Sequence, residues 1–176
     1  MTGTGSVLKV SGRATLTITD SSAAKSGTIT GGNAEYGGGV YVDDYAALKM
    51  TGGCITGCHA SRGGGGIYSS GNLYMGGTAK IEKCTGSDDA IWNRENSDIY
   101  ADGGTVDGTV NNQGTIRLSE GAAAETVFNG TVYNRPAGTI KAGRYNETVE
   151  NNGTISGGTF CGGVTVSYTH LRAHET

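Results

Sequence analysis

Gly27–Val42 reads GTITGGNAEYGGGVYV, and Gly53–Ser69 reads GCITGCHASRGGGGIYS. Laid one above the other, Ile29 falls on Ile55 and Ala34 on Ala60 at the same offset, and Val40 falls on Ile67 after one extra position. A third copy follows. Ile81 lies as far beyond Ile55 as Ile55 lies beyond Ile29, Cys84 stands at that distance beyond Cys58, and Ile91 sits near the place of Ile67. Between these marks Leu48-Lys49-Met50 is answered by Leu73-Tyr74-Met75. Self-similarity at a fixed period is the mark of a repeat architecture. A period of about 26 residues, holding two or three short strands, is the size of one coil of a parallel β-helix.

From about Asp102 the period shortens but persists. Thr109-Val110-Asn111-Asn112, Thr131-Val132-Tyr133-Asn134 and Thr148-Val149-Glu150-Asn151 are three copies of one phrase. Each is followed closely by Gly-Thr-Ile, at Gly114, Gly138 and Gly153, and then by a Gly-x-aromatic strand at Tyr145 and Phe160. The step from Val132 to Val149 is shorter than that from Val110 to Val132, so loop lengths vary while the strand phrase is kept. The expected fold is therefore all-β: a right-handed parallel β-helix, with coils of about 26 residues to about position 101 and shorter, variable coils over 102–165.

Physics explains the recurrence. Each strand of a coil pairs with its equivalent in the next coil at about 4.8 Å, so like residues stack on like. Ile29, Ile55 and Ile81 are expected to be buried and stacked as one inward ladder, with Val40, Ile67 and Ile91 as another. β-Branched side chains suit a pleated, half-buried position, and Asn and Gly suit tight corners. No coil buries its apolar face alone, so stability comes mainly from neighbouring coils.

Composition supports this and narrows the function. Glycine supplies 33 of 176 residues, against a usual share of about 7%. These glycines alternate with short β-branched and aromatic triplets rather than forming linkers. A net charge of −3 with no Lys or Arg cluster offers no surface for nucleic acid. No run approaches the roughly 20 apolar residues of a membrane span. Met1-Thr2-Gly3-Thr4-Gly5 has neither the basic start nor the apolar stretch of a secretory signal, an absence that decides little if the chain is a fragment.

GTITGGNAEYGGGVYV, ALKMTGGCITGC and NNGTISGGTF resemble the Gly-rich right-handed parallel β-helix repeats of large bacterial adhesin-like surface proteins, over roughly Leu16 to Val164. The resemblance implies a secreted or cell-surface scaffold without cofactor or catalysis, whose partners are host or cell-surface glycans or proteins. Fold alone does not fix function, and a polysaccharide lyase or glycoside hydrolase on the same fold is the alternative. Two carboxylates and a Lys or Arg converging on one sugar position would favour the enzyme. End-to-end self-association is a further expectation, through the open strands of a terminal coil.

Residues 166–176, VSYTHLRAHET, break the pattern. They resemble the translation of a transposase-type sequencing-library adapter and are set apart from the solenoid at 1–165. On that reading His170 and His174, although spaced like a zinc pair on a helix, are not a metal site.

The remaining candidate chemistry is sparse, and no catalytic, cofactor-binding or metal residue is assigned. Cys54, Cys58 and His59 lack a fourth ligand at metal spacing. Cys58 and Cys84 have two readings: stacked thiols, or a disulfide that adjacent coils bring within Cα range but hold slightly wide at Cβ. The acidic doublets Asp43-Asp44 and Asp88-Asp89 occupy different places in the repeat, so stacking does not bring Asp43 to Asp89, and both are expected on solvated turns. Thr15-Leu16-Thr17-Ile18-Thr19 has the Thr-x-Thr form of ice-binding solenoids but does not recur, and is expected to be one ordinary strand. Asn129, Asn146 and Asn152 fit the N-glycosylation pattern, which carries no meaning in a bacterial host.

Overall fold

The computed structural model describes residues 4–87 and 89–167. They wind into a parallel β-helix. One 8-stranded sheet takes a strand from every coil: Leu8–Val10, Val40–Val42, Ile67–Ser69, Ile91–Asn93, Val110–Asn112, Val132–Asn134, Val149–Asn151 and Val164–Val166. A 12-stranded sheet forms two further faces that meet at a bend. The long strands Asn72–Glu82 and Asp98–Asp107 run through both faces, with a register shift between Gly77 and Lys80. A 3-stranded sheet, Asn33–Tyr36, His59–Gly63 and Thr85–Gly86, adds a fourth side to the first three coils only. Every pair of these strands is parallel.

The inward ladders follow the repeat. Ile29 pairs with Ile55 and Ile55 with Ile81, then Val106, Phe128, Tyr145 and Phe160 continue the row. Leu8, Val40, Ile67, Ile91, Val110, Val132, Val149 and Val164 form a second row. Ile55 and Ile81 are fully buried, each worth about 1.5–3 kcal/mol in apolar burial. Ile29 is stacked as expected but only half-buried, because it lies on the first coil, where Leu16 and Ile18 are half-buried too.

Coil length contracts along the axis, interrupted by one longer coil between Val110 and Val132. Leu8 pairs with Val40, Ile67 with Ile91, Ile91 with Val110, and Val149 with Val164, so the chain spent on one coil falls to less than half. The shortening coincides with the end of the 3-stranded sheet: in the fourth coil the chain turns directly from Asp107 to Val110. Val166, where the adapter-like segment begins, is the last residue of the final strand; residues 168–176, including His170 and His174, lie outside the described residues.

Candidate functional site

The outer face of the 8-stranded sheet carries Lys9, Tyr41, Tyr68 and Trp92 in one row. The Tyr41 and Tyr68 rings stack at 5.0 Å, and Tyr36 from the 3-stranded sheet closes on Tyr68 at 4.9 Å. Trp92 lies over Gly63, where even a Cβ would fall 1.9 Å from the indole, and its buried Nε1 has no hydrogen-bond partner among the described residues. These rings face one another, and Tyr68 is only 5% exposed. The row is a packed aromatic band and offers no open ring face at its centre.

The corner after this sheet is more informative. From the second coil on it alternates between long and short: 43–46, 70–71, 94–97, 113–114, 135–138 and 152–153. Just before each corner from the third coil onward stands an inward polar residue: Ser69, Asn93, Asn112, Asn134 and Asn151. Asn93 Nδ2 donates to Asn112 Oδ1 at 2.8 Å, Asn112 to Asn134 at 2.8 Å, and Asn134 to Asn151 at 2.6 Å. Each also reaches the carbonyl of its own corner's last residue: Ser97, Gly114, Gly138 and Gly153. Ser69 does the same by donating to Gly71 O at 2.8 Å. This satisfies the amides, whose burial without partners would cost about 1–3 kcal/mol each.

Every short corner ends in a glycine tucked under the preceding long corner. A Cβ on Gly71 would lie 2.1 Å from Ala46 O, on Gly114 2.1 Å from Ser97 O, and on Gly153 2.2 Å from Gly138 O. The first residue of each long corner reaches back to the outward residue one coil earlier. Lys9 lies 4.0 Å from Asp43, Arg94 Nη1 donates to Tyr68 OH at 3.0 Å, and Arg135 Nε donates to Asn111 Oδ1 at 3.1 Å. The structural unit at this edge is thus two coils.

Between the long corners 43–46 and 94–97, the short corner Ser70-Gly71 leaves a notch. On one side it is a cavity of about 320 Å³ lined by Asp44, Tyr45, Ser70, Asn72, Glu95 and Asn96. It continues to Tyr41, Asp43 and Arg94 on the other side, in about 330 Å³. Tyr45 is 87% exposed and holds φ at 63°, and Asn96, at the same place in its corner, holds 64°. A bulky residue in that left-handed region is uncommon and strained.

The residues singled out in the sequence are scattered around this site. Cys58 and Cys84 occupy equivalent positions in adjacent coils as free thiols, with Cys84 Sγ 3.6 Å from Ile55 O. Burial raises the Cys84 thiol to about 11. His59 is exposed, 3.2 Å from Thr85 Oγ1, and among the described residues no three His, Cys, Asp or Glu side chains gather around a metal position. Asp43 stands at the notch, half-buried. Asp89 is not on a solvated turn as expected: it is 4% exposed on the far side of the Ile91–Asn93 strand, near Asn111 Nδ2. Asp88 lies outside the described residues. The carboxylates that do share a notch are Asp43 and Asp44 from one long corner and Glu95 from the long corner two coils on.

No family of known proteins, no curated protein and no solved structure matches this chain.

Proposed function

We propose that this chain is a non-catalytic scaffold from a secreted or cell-surface adhesin-like protein, a stiff segment that holds binding corners away from its axis. The observation that carries this reading is the two-coil edge, where each long corner is anchored to the coil before it and lifts its exposed residues clear of the sheet. Its polar groups are distributed in rows along the axis. An acid–base pair, in contrast, needs two carboxylates fixed across a single bond.

The lyase or hydrolase alternative draws on one specific feature, the presence of Asp44, Glu95 and Arg94 around the same notch. Incubation with neutral and acidic polysaccharides separates the two. The scaffold reading expects retention on immobilised glycans or host-cell surfaces, with no release of reducing or unsaturated ends, with or without calcium. Release abolished by Asp44→Asn, Glu95→Gln, Asp43→Ala or Asp89→Ala would replace it with the enzyme. A second copy of the chain is a further proposed partner. Val164 and Val166 on the last strand are 43% and 53% exposed beside an edge that has no partner strand among the described residues, the usual template for strand addition.

A further inference from the structure

We infer that the notch over Ser70-Gly71 binds a neutral, extended β-linked glycan lying along the helix axis, with one disaccharide matched to every two coils. This rests on the scaffold reading and names its ligand. The notch is at the small end of ligand cavities, suited to sugar rings rather than to a folded segment of protein. Tyr45 presents an open aromatic face at its rim, the kind of surface that takes the C–H face of a sugar. Asp44 and Glu95 can only accept hydrogen bonds, and neither is in an ion pair among the described residues. A polyhydroxylated ligand supplies the donors they lack, while Ser70, Asn72 and Asn96 both donate and accept.

Charge and spacing narrow the class. Asp43, Asp44 and Glu95 line the notch against Arg94, whose Nη1 donates to Tyr68 OH, so the notch carries a net negative charge that disfavours uronates and sulfated sugars. The long corners 43–46, 94–97 and 135–138 recur every second coil, about 10 Å at one strand spacing per coil. That is close to the advance of a disaccharide in an extended β-1,4-linked chain. A coiled α-linked chain does not keep this step.

The test is titration of the intact chain with a β-1,4-linked glucose tetramer, an α-1,4-linked glucose tetramer and a galacturonate tetramer, followed by calorimetry or amide chemical shifts. The β-linked tetramer is expected to bind with shifts at Tyr45, Ser70 and Asn96, the α-linked one about tenfold more weakly, and the galacturonate not measurably. Tyr45→Asn and Glu95→Gln should each weaken binding about tenfold. Asn tolerates the left-handed corner, so Tyr45→Asn should melt no lower than the parent. Binding that neither variant changes, or equal binding of galacturonate, would overturn the inference. So would absence of glucan binding, and retention on cell surfaces would then still support the scaffold. Cleavage of the tetramer would sink the scaffold reading itself.

Discussion

One methyl group at a short corner is enough to disturb the edge. Gly114 sits 2.1 Å, measured from where a Cβ would be, from Ser97 O and 2.5 Å from Arg94 O. These are backbone atoms that cannot swing aside. Gly114→Ala should destabilise the chain by about 1–3 kcal/mol, the usual cost of overpacking. Gly163→Ala, where nothing lies within 4 Å, should stay within about 0.5 kcal/mol of the parent. Urea melts of the two variants check this, and equal midpoints would mean that the corner yields easily. The glycine was legible in the sequence as a corner residue, but its reason was not. The steps from Asn112 to Gly114, Asn134 to Gly138 and Asn151 to Gly153 run short, long and short, and each step alone resembles ordinary loop drift. Only the stacking of a short corner beneath a long one makes the alternation a rule. Tyr45 and Glu95 were missed for the same reason: no local motif joins residues from coils two apart. The acidic doublets drew notice instead because they are adjacent in the chain.

Among the elements, the inward rows were the most legible part. Isoleucines that recur at one fixed spacing can stack only if the coil has that length, and Ile29, Ile55 and Ile81 do stack. The row's aromatic end makes a measurable consequence. Tyr145 is stacked between Phe128 and Phe160 at 5.0 Å on each side and donates to Ala142 O at 2.7 Å. Burial pushes its hydroxyl well above the ordinary tyrosine range. Above about pH 10 the folded chain therefore keeps a proton that the unfolded chain releases. The stability this residue contributes is complete below that pH and falls as pH rises. Cys84, raised from 9.0 to about 11, adds the same trend from pH 9 upward. The urea midpoint should drop between pH 9 and 11. Tyr145→Phe should lower stability by about 1 kcal/mol at neutral pH through its lost hydrogen bond, and should flatten the alkaline fall. An unchanged alkaline slope in that variant would show that Tyr145 does not carry it.

The whole molecule is close to one-dimensional, because each coil touches mainly its neighbours. Burial is densest in the middle, where Ile67, Leu73, Ile81, Ile91, Ile99 and Ile116 are fully enclosed, and falls away at Leu16, Ile29, Ile155 and Phe160. Amide exchange should accordingly be slowest around Ile67–Ile116 and quicken toward both outer coils. Uniform protection along the chain would mean that it opens as one unit.

The contraction from the wide coil joining Leu8 to Val40 to the narrow one joining Val149 to Val164 also has a mechanical meaning. The strand-to-strand hydrogen bonds lie along the axis, so tension applied between the two ends pulls coils apart one after another. Each detached coil releases its contour length less one strand spacing, roughly 100 Å for the widest and roughly 45 Å for the narrowest. A tether of this kind yields in graded steps and dissipates load while its remaining coils stay wound. The step sizes are themselves a ruler: rips that lengthen during a pull mean unwinding from the narrow end, and rips that shorten mean unwinding from the wide one.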